Sequence, residues 1–436
     1  MNYLVKEFLE NELNTFFFGF LNIKNNFVIK RLLKNGITLL AERKENTKLA
    51  TLNILVKAGS IYEEKGKTGL AHLLEHMMFE GSKQFPNFDE TLQDVLGDNN
   101  AYTCQDYTNY YESLPYEHIQ TAIDLEMDRF QTLSLQPKKF EIQKNVVIEE
   151  FKETTLQPPL ADFWHYLLKM AFPKSAYEIP VIGKNVKDVE QISLRDLKAF
   201  YQQYYTASEL IISLVADDDE NRLLDLLEQN FGKLESVSKQ ISPIKLNKSS
   251  KPVSKILTRK NIHQTSFFIA FHIDDYDSAG YFRADMLSDL LSNGDSSVLY
   301  QKFIKELEYC TEISSFITDN KQANLLVIEG KLNPGIAFDT FKTQFDEVLT
   351  QLPAILKDSN RLELLKNKAE TYFLFSNYNM THLAQNICFW EYVGLDNPKE
   401  WIQSIYANTR TSDLEEATLT IFNDKNRLEL VYLPKK

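Results

Sequence analysis

One half of this 436-residue chain repeats the plan of the other, and that duplication constrains its fold more than any single motif. The segment DLKAFYQQYYTASELIISLVA, from Asp196, reads as a helix that hands over to a buried strand. DLEEATLTIFNDKNRLELVYL, from Asp413, reads the same way about half a chain later. A second correspondence needs no gap: LAHLLEHMMFEGS from Leu70 lies on RADMLSDLLSNGD from Arg283. Ala71 meets Ala284, Leu74 meets Leu287 and Gly81 meets Gly294, while His72, Glu75 and His76 meet Asp285, Ser288 and Asp289. Only the first copy holds histidines. Between the copies, residues 233–255 are rich in Ser and Lys, carry two prolines and show almost no helical period, which marks a linker. The expected division is residues 1–240, a linker at 241–255, and residues 256–436 as the second half without the histidine motif.

Within each half, strands and helices are mixed. Residues 29–60 open with an apolar stretch around a Lys34-Asn35-Gly36 turn and continue into a second β-rich stretch, the pattern of an antiparallel meander. Helical periods follow at about 67–80, 117–131, 138–154 and 193–204. The expected class is α+β: two related halves, each an antiparallel sheet with helices packed on one face.

The balance of charge removes one class of partner. The chain has 61 Asp and Glu against 48 Lys and Arg, with no basic stripe interleaved with aromatics, so nucleic acid is excluded. No apolar run reaches the length of a membrane span, and MNYLVKEFLENELN at the N-terminus is acidic where a secretory signal is basic, which points to the cytoplasm. Cys104, Cys310 and Cys388 are odd in number and far apart, as reduced thiols are.

The chemistry concentrates at residues 71–82, AHLLEHMMFEGS, where two of the chain's seven histidines flank a glutamate. On a helix, His72 and His76 stand one turn apart on a single face, with Glu75 beside them. Two imidazoles at that spacing suit one tetrahedral metal, most often zinc, and the neighbouring carboxylate suits proton abstraction from a bound water. The order His-x-x-Glu-His inverts the common zinc-protease arrangement. The bland alternative is a pair of satisfied histidines on an apolar helix. A third ligand decides between them, and KKFEIQKNVVIEEFKE, residues 138–153, offers candidates. Gln143, Val147 and Glu150 share a face, Glu149 is turned about 100 degrees away, and Glu153 lies one turn further on. A solvated acidic face is the ordinary meaning of such glutamates.

HLLEH, then FEGS, NAYTCQDYTNYY from Asn100, NVVIEEF, and YEIPVIGKNVKDVEQISLRDLKAFYQQYY from Tyr177 together resemble the pitrilysin/insulinase family of zinc peptidases in its short two-half form. The resemblance runs in order along nearly the whole chain. It implies one zinc ion per chain on His72, His76 and Glu150, Glu75 as general base, and Asn100 and Ala101 on an edge strand that binds extended peptide by β-augmentation. It also implies three departures. Gln143 stands where the family has a second, outer glutamate, so a charge is lost there while hydrogen bonding persists. Self-sufficient members supply an arginine and a tyrosine to the substrate carbonyl, and here Ile304 and Thr311 hold those places. Ala216 replaces a common glycine, a change confined to a turn.

The reading that follows is a zinc endopeptidase subunit, completed by a related partner chain that brings the arginine and tyrosine. Lys302, Lys305 and Tyr309 are the residues that could stand in for them within this chain. A non-catalytic scaffold subunit is the competing class, and its mark is loss of the metal-binding residue types, which are present here.

Overall fold

A computed structural model describes residues 28–236 and 244–435. The N-terminal stretch read above for a signal, and residues 237–243 of the linker, lie outside the described residues. The first sheet comprises β1 (Ile29–Leu32), β2 (Thr38–Arg43), β3 (Leu49–Val56), β4 (Asp98–Thr103), β5 (Thr108–Pro115) and β6 (Leu210–Ala216), in the order β1-β2-β6-β3-β5-β4. The second comprises β7 (Val253–Arg259), β8 (Ser266–His272), β9 (Cys310–Ile317), β10 (Leu325–Leu332) and β11 (Arg427–Pro434), in the order β7-β11-β8-β10-β9. Apart from the extra β1 hairpin, the two sheets have one topology. The duplication seen in the sequence is therefore a duplication of the fold, and the α+β class with two related halves is what the structure shows.

Two details differ from expectation. The meander is interrupted, because β6 inserts between β2 and β3 and runs parallel to β2, just as β11 runs parallel to β7. Each otherwise antiparallel sheet thus contains one parallel pair. The cause is in the sequence of β6, LIISLVA, which is buried at every position. A strand apolar on both faces is stable only in the middle of a covered sheet.

The second difference concerns the faces. Helices Leu70–Met78, Ile119–Thr132, Pro137–Phe151 and Leu194–Tyr204, all close to the expected ranges, lie on one side of the first sheet. Its other side, at Leu40, Leu55, Ile211 and Val215, is covered by helix Met380–Val393 of the second half. Ser213 Oγ donates to the Ala384 carbonyl across that contact at 2.8 Å. Reciprocally, helix Phe163–Ala171 of the first half packs Leu167, Leu168 and Ala171 against Phe268, Ala270, Leu428 and Leu430 of the second sheet. Each half lends one helix to the far face of the other. Asp162, at the start of the lent helix, takes Arg259 at 2.6 Å and the Tyr432 hydroxyl at 2.8 Å. Strand β7 begins at Val253, inside the stretch expected as linker. No helix among the described residues is long and apolar enough to cross a membrane.

Candidate active site

The helix Leu70–Met78 sorts its residues by face. Leu70, Leu73, Leu74, Met77 and Met78 are buried in the core, which leaves His72, Glu75 and His76 on the opposite side. Its N-terminus is set by Gly69, whose φ of +94° is ill suited to other residues. The Glu63 carboxylate then accepts the Gly69 and Ala71 N–H groups, both at 2.8 Å. Sequence reading gave Glu63 no role, although a carboxylate on free helix N–H groups is a familiar capping arrangement.

His72 Nε2 and His76 Nε2 lie 3.3 Å apart, with the two rings perpendicular. The neighbouring helix, Pro137–Phe151, brings Glu150 Oε2 to 3.7 Å from His72 Nε2 and 3.6 Å from His76 Nε2. The competing glutamates point elsewhere: Glu149 pairs with Lys152 at 2.7 Å, and Glu153 is exposed beyond the end of the helix. A tetrahedral zinc with bonds of about 2.0–2.1 Å holds its ligand atoms about 3.3 Å apart, so these three atoms fit the ion with small adjustments. His72, His76 and Glu150 are also the one group of this kind among the described residues.

Electrostatics at the site follow from burial and contact. Burial pushes the His72 imidazole down to about 4, favouring the neutral form that a metal requires. For His76 burial acts in the same direction, but hydrogen bonds to Glu150 and Gln143 outweigh it and leave the imidazole above its ordinary value. The His76 contact holds the Glu150 carboxyl below the usual range. Burial raises Glu75, against the hydrogen bond donated by Thr103 Oγ1 to Glu75 Oε2 at 2.5 Å. The sequence alone does not mark Thr103 as part of the site. Period-two alternation along β4 puts it on the face of Ala101, which packs toward the helices.

Gln143 Oε1 lies 3.2 Å from His76 Nδ1, and its amide nitrogen donates to Glu80. Asn100 and Ala101 sit in β4, the free edge of the first sheet, so Asn100 is a strand residue and not part of a turn. The Asn100 amide oxygen accepts the Ala101 N–H at 2.8 Å. In the second half Ile304 packs against the core, and Thr311 is exposed on β9. Ala216 is the buried last residue of β6.

The model of the insulinase family (peptidase family M16) matches residues 38–185, and that of the peptidase M16 inactive domain matches residues 191–366. The zinc protease PqqE of Helicobacter pylori is 23% identical over 73% of this chain and 73% of its own. The mitochondrial-processing peptidase subunit beta of Blastocladiella emersonii is 30% identical over 46% of this chain and 43% of its own. Among solved structures, a protease from Helicobacter pylori superimposes with a TM-score of 0.87 at 22% identity, covering 94% of this chain and 100% of the other. Matched in both halves and sharing the two-half fold, this chain belongs to the insulinase family of peptidases, family M16.

Proposed function

We propose that the chain is the zinc-bearing subunit of a two-chain endopeptidase that cleaves extended peptides. The observation that carries this reading is the convergence of His72 Nε2, His76 Nε2 and Glu150 Oε2 at separations of 3.3 to 3.7 Å, with Glu75 beside them. These three residues would hold one zinc ion, which would supply a Lewis acid able to lower the pKa of a water to about 7 and to polarise the scissile carbonyl. Glu75 is the general base. Thr103 Oγ1 donates to Oε2 and so holds the carboxylate that takes the water's proton and passes it to the leaving amine. The exposed edge of β4 at Asn100 and Ala101 pairs with the substrate backbone, so recognition depends more on an extended conformation than on particular side chains. In this reading the chemistry belongs to residues 1–240, and residues 256–436 form a second half without metal.

The partner chain enters through what the second half lacks. An aliphatic Ile304 and the short hydroxyl of Thr311 cannot neutralise a developing oxyanion as a guanidinium and a phenol do. Lys302 is paired with Glu306 at 2.5 Å, and Lys305 lies over the Tyr300 ring at 5.4 Å. Relatives named as beta subunits of a processing peptidase support a two-chain arrangement.

The test is peptide hydrolysis by this chain alone and mixed with a related chain that carries the arginine and tyrosine, each with and without a zinc chelator. Chelator-sensitive turnover that the partner raises at least about a hundredfold is expected, since each missing donor costs a few kcal/mol of transition-state stabilisation. Turnover indifferent to chelator overturns the zinc reading. Full zinc-dependent activity of the chain alone overturns the two-chain reading.

A further inference from the structure

We propose that Glu80 selects the metal-binding tautomer of His76, acting through the side-chain amide of Gln143. The inference rests on the zinc reading above and concerns residues outside the ligand set.

The argument is one of hydrogen-bond direction. A carboxylate only accepts, so the contact between Gln143 Nε2 and Glu80 Oε1 requires the amide to turn its NH2 group toward Glu80. Its carbonyl oxygen then faces His76 Nδ1 at 3.2 Å. An amide oxygen also only accepts, so Nδ1 must carry the proton. In the neutral imidazole, the form that binds a metal, the lone pair is thereby placed on Nε2, the atom that faces His72 Nε2 and Glu150 Oε2. Without an acceptor at residue 80, the amide is free to flip, and a flipped amide donates to Nδ1 and moves the imidazole proton to the metal-facing nitrogen. Glu80 thus breaks a symmetry that Gln143 alone cannot break.

Glu80 is itself fixed. It follows the histidine helix by two residues, and Lys139, one turn before Gln143 on the next helix, meets both its carboxylate, at 3.4 Å, and its main-chain carbonyl. Glu80 is thus the shared acceptor: it takes Lys139 on one side and the Gln143 amide on the other, and from His76 through Gln143 to Glu80 donation runs in one direction, each bond strengthening the next. His72 has no such support: its Nδ1 is buried without a hydrogen-bond partner among the described residues. Tautomer control of the pair falls on His76, and hence on Glu80 as a positioning residue.

The experiment measures zinc dissociation constants by competition with a chromophoric chelator for the full chain, Glu80→Ala and the double variant Glu80→Ala with Gln143→Glu. Loss of such an outer partner weakens metal binding roughly ten- to a hundredfold, and that is the expectation for Glu80→Ala, with the melting temperature of the metal-free protein held near the parent's. The double variant should return to within a few-fold of the parent, because a carboxylate in place of the amide accepts directly from Nδ1 and has no donating orientation to flip into. Unchanged affinity in Glu80→Ala overturns the inference, as does a weakened Glu80→Ala that the added Gln143→Glu change fails to rescue, which assigns Glu80 a structural role. A parent chain that binds no zinc removes the functional reading itself, an outcome distinct from both.

Discussion

The histidine helix and its counterpart in the second half, Ala279–Ser292, are built on the same frame and filled with different chemistry. Both lead to a left-handed glycine, Gly81 at φ +86° and Gly294 at φ +85°. In both, a lysine reaches the carbonyl of the residue before that glycine: Lys139 to Glu80, Lys368 to Asn293. In both, a hydroxyl on the sheet's edge strand meets the middle of the helix, Thr103 to Glu75 on β4 and Ser315 to Ser288 on β9. At the position of His72 the second half has Asp285, half-buried and accepting the Tyr406 hydroxyl at 2.8 Å. At that of His76 it has Asp289, which accepts the Asn293 amide at 2.8 Å. Burial drives either group at the first position toward neutrality, His72 down to about 4 and Asp285 up to about 6. The environment is shared and its consequence differs: it leaves the imidazole neutral, the form a metal binds, whereas the carboxyl gives up its proton near pH 6 and serves as the acceptor of the Tyr406 hydroxyl.

The strongest way to break this comparison is to remove equivalent residues from the two copies. His76→Ala should lose most of its zinc and all peptide cleavage, because two remaining ligands cannot fix the ion. Asp289→Ala should retain both, and metal analysis by mass spectrometry of the two purified variants decides the matter. Glu75→Gln is next in size. It should keep its zinc and lose about a hundred- to ten-thousand-fold in rate, the usual cost of removing a general base, while Ser288→Ala turns over at the parent rate.

Stability measurements sharpen the comparison on the second side. The Asp285 carboxyl, raised by burial to about 6 against the Tyr406 hydrogen bond, keeps its proton in the folded chain after the unfolded chain has released it. Stability from this group is therefore present at low pH and falls as the pH rises from about 4 to about 6. The loss is on the order of 2–3 kcal/mol. Asp285→Asn should remove that part of the slope, read as the difference between parent and variant in urea melts across the same window.

The smallest effect separates two glycines of equal φ. Alanine at either position bears the left-handed penalty of about 1 kcal/mol. At Gly294 the added carbon meets only Lys368 Nζ, at 3.8 Å, whereas at Gly81 it meets the Pro86 carbonyl oxygen at 2.3 Å. Gly81→Ala should exceed Gly294→Ala by about 1–2 kcal/mol of overpacking, measured from the denaturant midpoints. Equal costs would mean that the Pro86 loop yields freely.

What the sequence determined by itself was whatever one element encodes within its own period. The spacing of His72, Glu75 and His76 sets their common face because a helix repeats every 3.6 residues, and the leucines and methionines between them fix which face is buried. The gapless match of residues 70–82 to 283–295 carries the shared glycine turn in the same way. The tertiary structure alone decided how elements distant in the chain meet. Glu149, Glu150 and Glu153 differ in the sequence only by rotation about one helix, and it is the seating of that helix on its neighbour that delivers Glu150 to the histidines. The insertion of β6 between β2 and β3, and the exchange of helices between the halves, are settled by the need to cover both faces of each sheet at once. Thr103 and Glu80 were unreadable for the same reason: a hydroxyl on a strand and a carboxylate past a helix end take their meaning from partners 28 and 63 residues away, and a local pattern holds no record of those distances.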